Sequence, residues 1–128
     1  MNSYLIIGIG GAFGACLRHA LSSTTLQLTQ GWLFPLGTFL VNLTGCLLAG
    51  VFLGLAARAG GLPEPLRLFV LTGILGGFTT FSAFGIETVE LLRRGFLGTA
   101  LLYSGSTLCA GLLALFLAAE FAGRGSAG

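Results

Sequence analysis

Residues 76–84 read GGFTTFSAF, placing two glycines, three hydroxyls and three phenylalanines inside an otherwise apolar run. Glycine and β-branched threonine both propagate a helix poorly, so a helix is expected to open at Gly76-Gly77 ahead of Thr79-Thr80. In hydrocarbon an opened backbone survives only where protein, water or an ion meets its polar groups. Freed carbonyl oxygens are hard ligands and suit a small hard cation such as Na+. The other reading is a glycine kink packed on a neighbour, with the threonine hydroxyls bonded back to the helix. Phe81 and Phe84 are three apart and share a face of the helix that resumes. They either fill a core or turn the positive ring edge toward an anion.

A second polar position lies in GTFLVNLTG. Asn42 offers two amide donors at mid-span depth. Thr38 lies one turn before it and Gly45 one turn after, so this face forms either a narrow polar track or an interhelical hydrogen bond. Tyr103, Ser104, Ser106 and Thr107, in YSGST, form a hydroxyl patch that either extends the track or pins helices together. Arg18 either snorkels to a headgroup or draws anions into a vestibule. Glu87 and Glu90 are expected to face headgroups or water.

Enzyme chemistry finds little material. The chain has one histidine, His19, and neither aspartate nor lysine, so no Ser/His/Asp set can form. Cys16, Cys46 and Cys109 lack metal-ligand spacing and read as buried small residues. The string GIGGAFG lacks the preceding strand and βαβ unit of a dinucleotide site. Gly10 with Gly14 and Gly50 with Gly54 instead have the spacing that lets helices approach closely in lipid.

The elements that carry these residues follow from composition. Of 128 residues 55% are hydrophobic and 8% charged, and the mean hydropathy is +0.97. A soluble domain needs about a quarter charged residues, so this is an all-α membrane chain. A span takes about 20 apolar residues. Four stretches qualify: 3–21, 35–57, 66–92 and 96–119, with the third broken near its middle. They form one domain, with short connections and a small, frayed tail. The first run is expected to be a retained span, because no positive segment precedes it. The net charge of +2 and the absence of a basic cluster argue against nucleic acid.

Four spans put both termini on one side, with Arg58, Arg67 and Arg124; Arg18, Arg93 and Arg94 fall opposite. Orientation follows an excess of Lys/Arg on one side, and here there is none. The balance implies insertion both ways and an antiparallel homodimer with its two-fold axis in the membrane plane. Four such helices pack without a central pore, so a transport path would run between subunits.

Together, GTFLVNLTG and GILGGFTTFSAFGIETVELL resemble the small bacterial fluoride channels, the CrcB-type or camphor-resistance family. The resemblance spans nearly the whole chain. It implies a dual-topology antiparallel homodimer in the bacterial plasma (inner) membrane, with two pores at its interface. F− would flow out passively, Cl− would be rejected, and fluoride resistance would follow. It also implies a structural Na+, not transported, on the backbone carbonyls of Gly76 and Thr79. Asn42, Phe81, Phe84 and Ser82 would line the pore, with Tyr103 and Thr107 at matching fourth-span positions. Ala83 stands where members often carry a hydroxyl. The alternative class, a small dual-topology proton-coupled multidrug exporter, needs an intramembrane carboxylate, and no span has one in its central third. A non-transporting assembly subunit would leave Asn42 and the phenylalanine pair unexplained.

Overall fold

A computed structural model describes residues 2–126, and every regular element among them is helical. Four elements are long and apolar enough to cross a membrane: Ser3–Leu28, Leu36–Arg58, Glu64–Arg93 and Leu97–Gly123. The first continues well past residue 21, through a stretch polar enough to read as a loop. Its hydroxyls are satisfied internally: Ser22 donates to the Arg18 carbonyl, Thr25 to Leu21 and Thr29 to Thr25. Arg18 therefore lies inside a helix rather than at its end. At the other terminus the fourth helix holds to Gly123, and Arg124–Ser126 form a short 3-10 turn where fraying was expected. Ala127 and Gly128 lie outside the described residues.

The third span is not one rod. It starts as α-helix at Glu64–Arg67, widens to π-helix over Leu68–Leu75 and regains an α turn at Gly76–Phe78. Thr79 (φ −77°, ψ 156°) and Thr80 (φ −147°, ψ 119°) are extended, and α-helix resumes at Phe81–Arg93. The break therefore falls at the threonines, not at Gly76-Gly77, which are still helical. The glycines have another duty, since a Cβ on Gly77 would collide with the Gly11 carbonyl of the first helix. They admit a neighbour, and the β-branched pair that follows adopts the extended conformation it favours. The consequence is a change of partner. The first half of the span packs on the first helix, and the second half packs on the fourth.

Small residues line the closest helix contacts, and many large apolar ones face outward. A Cβ on Gly10 would lie 2.7 Å from the Phe69 carbonyl oxygen, and one on Gly14 would overlap the Ile74 carbonyl. Gly50 and Gly54 meet Leu115, Ala118, Ala119 and Ala122 of the fourth helix in the same way. Leu5, Ile9, Phe13 and Leu17 occupy the opposite, exposed face of the first helix. Leu91, Ala100 and the fully buried Tyr103 form a compact core beside Phe34, Phe39, Phe84 and Phe96. Cys16 and Cys109 are exposed and Cys46 half-buried, where all three read as buried.

Gly14→Ala should lower stability by about 1–3 kcal/mol, because the added methyl has only backbone to displace. Gly8→Ala, with nothing within 4 Å, should change it by less than about 0.5 kcal/mol. Thermal unfolding in detergent compares the two, and equal effects would contradict the packing described.

Candidate functional site

The extended turn would leave bare peptide groups at mid-span depth without help from other helices. Asn42, on the second helix, clamps Thr80 with both ends of its amide. The Thr80 N–H donates to Asn42 Oδ1 at 2.8 Å, and Asn42 Nδ2 donates to the Thr80 carbonyl at 2.9 Å. The side chain thus pairs the extended residue as a neighbouring strand would. One Nδ2 hydrogen remains, and Asn42 also borders a cavity. Thr80 begins the next helix as its N-cap, its hydroxyl accepting from the Ala83 N–H at 3.1 Å.

These bonds decide which carbonyls are freed. An unbroken helix would pair the Gly76 carbonyl with the Thr80 N–H and the Thr79 carbonyl with the Ala83 N–H. Both donors are diverted, one to Asn42 and one to the Thr80 hydroxyl. The Gly77 carbonyl, whose helical donor would be Phe81, instead receives Arg18 Nε at 3.1 Å. Thr79 turns its own hydroxyl back to the Leu75 carbonyl at 2.8 Å, and its methyl fills the space left by Gly45.

Two cavities meet the break, and Thr80 borders both. The larger, about 480 Å³, is lined by Arg18, His19, Trp32, Thr38 and Glu87 among others. The smaller, about 300 Å³, is lined by Asn42, Thr79, Phe81, Phe84 and Thr107 with a few apolar neighbours. The Phe81 and Phe84 rings stand 5.9 Å apart. Phe84 leans on Tyr103 at 5.2 Å, whereas Phe81 is 83% exposed in the single chain. Among the described residues, Thr107 Oγ1 is the one buried side-chain oxygen or nitrogen without a hydrogen-bond partner.

Most sequence-derived positions therefore converge on this region, but not on one surface. Thr38 and Arg18 line the larger cavity, and Asn42, Thr79, Phe81, Phe84 and Thr107 the smaller. Ser82 borders neither and lies exposed, its hydroxyl 3.5 Å from that of Thr80. Tyr103 is sealed in the core. Glu87, expected at headgroups or water, points inward. It accepts a 2.6 Å hydrogen bond from the Thr38 hydroxyl and a 3.2 Å one from the Tyr103 hydroxyl. Its spacing from Phe84 and Leu91, three before and four after, was the available signal, because both neighbours belong to the core face. Thr80 carried a signal too, since a threonine opening a helix is a common N-cap.

Residues 5–119 match the family described as CrcB-like protein, Camphor Resistance (CrcB). Similar curated proteins bear the name fluoride-specific ion channel FluC. That of Methylobacillus flagellatus is 43% identical over 120 residues, 94% of each chain. That of Novosphingobium aromaticivorans is 48% identical over 118 residues, covering 91% of this chain and 93% of the relative. That of Hyphomonas neptunium is 44% identical over 126 residues, covering 97% and 98%.

Asn42→Ala leaves two part-buried backbone groups of Thr80 unpaired and should cost about 2 kcal/mol. Asn42→Asp should cost at least as much, since it turns a carboxylate oxygen toward the Thr80 carbonyl. Thermal unfolding measures both, and a wild-type midpoint for Asn42→Ala would dismiss the clamp.

Proposed function

The chain belongs to the CrcB-like family, and from that premise we infer that it is a fluoride-specific ion channel. It is a multi-pass membrane protein through which F− leaves the cell passively, lowering cytoplasmic fluoride and conferring resistance to it. The bacterial inner membrane is the setting that gives this activity a purpose. Neutral HF crosses lipid, dissociates in a less acidic cytoplasm and leaves F− behind. The negative interior potential then drives the anion outward without fuel.

The observation that carries this reading is the lining of the smaller cavity. Asn42, Phe81, Phe84 and Thr107 line it with neutral polar groups and aromatic rings and no full charge. Fluoride is small and strongly hydrated, and a pore must replace its water with several modest partners. One strong charge would hold the ion too tightly to let it go. Aromatic edges suit this because they are weakly positive. Thr107 Oγ1, buried and unpaired, is a donor awaiting an acceptor. On this reading Ser82 and Tyr103 serve the path at a remove, Ser82 through the Thr80 hydroxyl and Tyr103 through Glu87. The larger cavity, with Arg18 at its wall, is the vestibule.

The working unit we propose is an antiparallel homodimer of oppositely inserted copies. Two features support it. The arginines divide evenly between the two sides that four spans define, Arg58, Arg67 and Arg124 against Arg18, Arg93 and Arg94, which favours neither orientation. The break also presents Phe81, Ile86 and Val89 on an open face, which a second copy would cover. An in-plane two-fold axis would bring two breaks together and double the carbonyl set. A structural Na+ fits there. The Gly76 and Thr79 carbonyls have lost their helical donors and offer neutral hard oxygens. The ion, not itself transported, would supply positive charge where two helix ends leave unpaired oxygens.

A proton-coupled exporter would need a carboxylate free to trade its proton for a cation. Glu87 is the inward carboxylate here, and two hydroxyls already engage it.

Purified protein in liposomes loaded with potassium fluoride or chloride should release F− and retain Cl− once a K+ ionophore is added. Competent protein that passes no F− would reject the function. Phe81→Ile removes a ring edge worth about 1 kcal/mol and should slow the flux by about fivefold or more. An unchanged rate in that variant would remove Phe81 from the path.

A further inference from the structure

Arg18 is the one charged side chain among the described residues that hydrogen-bonds to the break. It follows Gly14 by one turn, on the face of the first helix that meets the third span. That register carries its Nε to the Gly77 carbonyl at 3.1 Å, across 59 residues of sequence. Among the described residues this is the only hydrogen bond its side chain makes, and no carboxylate lies within ion-pairing distance. A half-buried guanidinium at this depth needs compensation. Here it comes from the carbonyl end of the half-helix that stops at Phe78, where the dipole concentrates partial negative charge.

We propose that Arg18 is a resident cation of the break, sharing with Na+ the neutralisation of this helix end. It is a positioning residue, holding Gly77 so that Phe81 and Phe84 are aimed before any metal arrives. This rests on the proposed Na+ site at Gly76 and Thr79. The carbonyls are partitioned: Gly77 goes to the fixed guanidinium, and Gly76 and Thr79 remain for a mobile ion. Two consequences follow. Each cation lowers the need for the other, so the wild-type break depends weakly on Na+. The two also repel, so removing the guanidinium both exposes the break and strengthens Na+ binding.

The test measures the break directly, without fluoride. Amide hydrogen exchange across residues 76–84 is followed in wild type, Arg18→Met and Arg18→Lys, each in Na+ and in N-methylglucamine buffer. Wild type should be protected in both. Arg18→Met should lose protection at Thr80 and Phe81 by about tenfold or more without Na+, the scale of one lost charged hydrogen bond. Na+ should restore it, at a lower Na+ concentration than alters wild type. Arg18→Lys, which keeps the charge, should fall between. If Arg18→Met does not fold, Arg18→Gln takes its place, removing the charge and keeping a polar head. Protection in the neutral variant equal to wild type in both buffers would overturn the proposal. So would a loss that Na+ does not reverse, which would make Arg18 a packing residue only. Wild-type liposomes that pass no F−, beside a Na+-reversible loss in the neutral variant, would reject the channel and leave Arg18 its role. Normal efflux with a Na+-independent pattern would do the reverse.

Discussion

Two hydrogen bonds between Asn42 and the Thr80 backbone make the remaining features of this molecule possible. Extended backbone at membrane depth is forbidden unless its polar groups find partners. One amide side chain meets both groups of a residue that has left the helix. Once Thr80 is pinned, its hydroxyl caps the helix that follows, and the third span can leave the first helix for the fourth. Every group of interest at the site hangs on that switch: Phe81 and Phe84 beyond it, the diverted carbonyls before it, and Glu87 two turns on.

The surrounding packing shows why such a break can be tolerated. With no water to expel between helices, association relies on close van der Waals packing and interhelical hydrogen bonds. Glycines on the first and second helices let backbones touch, and the bulky leucines and phenylalanines turn outward. Firm walls on both sides of the third span keep the extended pair from relaxing back into helix. The same closeness delivers Arg18 to Gly77.

The chemistry that results is dispersed. The smaller cavity offers an amide, a hydroxyl and aromatic rings; the formal charges of Arg18 and Glu87 stand in the larger one, and Thr80 borders both. Such an arrangement suits transit better than capture, because no position provides a deep trap. Glu87 is held in place by Thr38 and Tyr103. The fourth-span tyrosine therefore acts on the larger cavity through a carboxylate rather than by lining a wall.

Four apolar spans, the existence of a break near Thr79-Thr80 and the prominence of Asn42, Phe81 and Phe84 were all legible in the residue order. Each is a local property: hydropathy summed over one helix, poor propagation by adjacent residues, or a polar group at a depth that penalises it. The first helix runs longer than its hydropathy suggests because its hydroxyls bond to their own turns. The break falls two residues later than glycine content suggests, because the glycines serve as a contact surface rather than as helix openers. What only the tertiary structure decided is which group satisfies which. Asn42 reaches Thr80 across 38 residues, Thr38 reaches Glu87 across 49 and Arg18 reaches Gly77 across 59. Partners that far apart are chosen by the register of glycine-lined helix contacts, and no periodicity within a single span encodes that register.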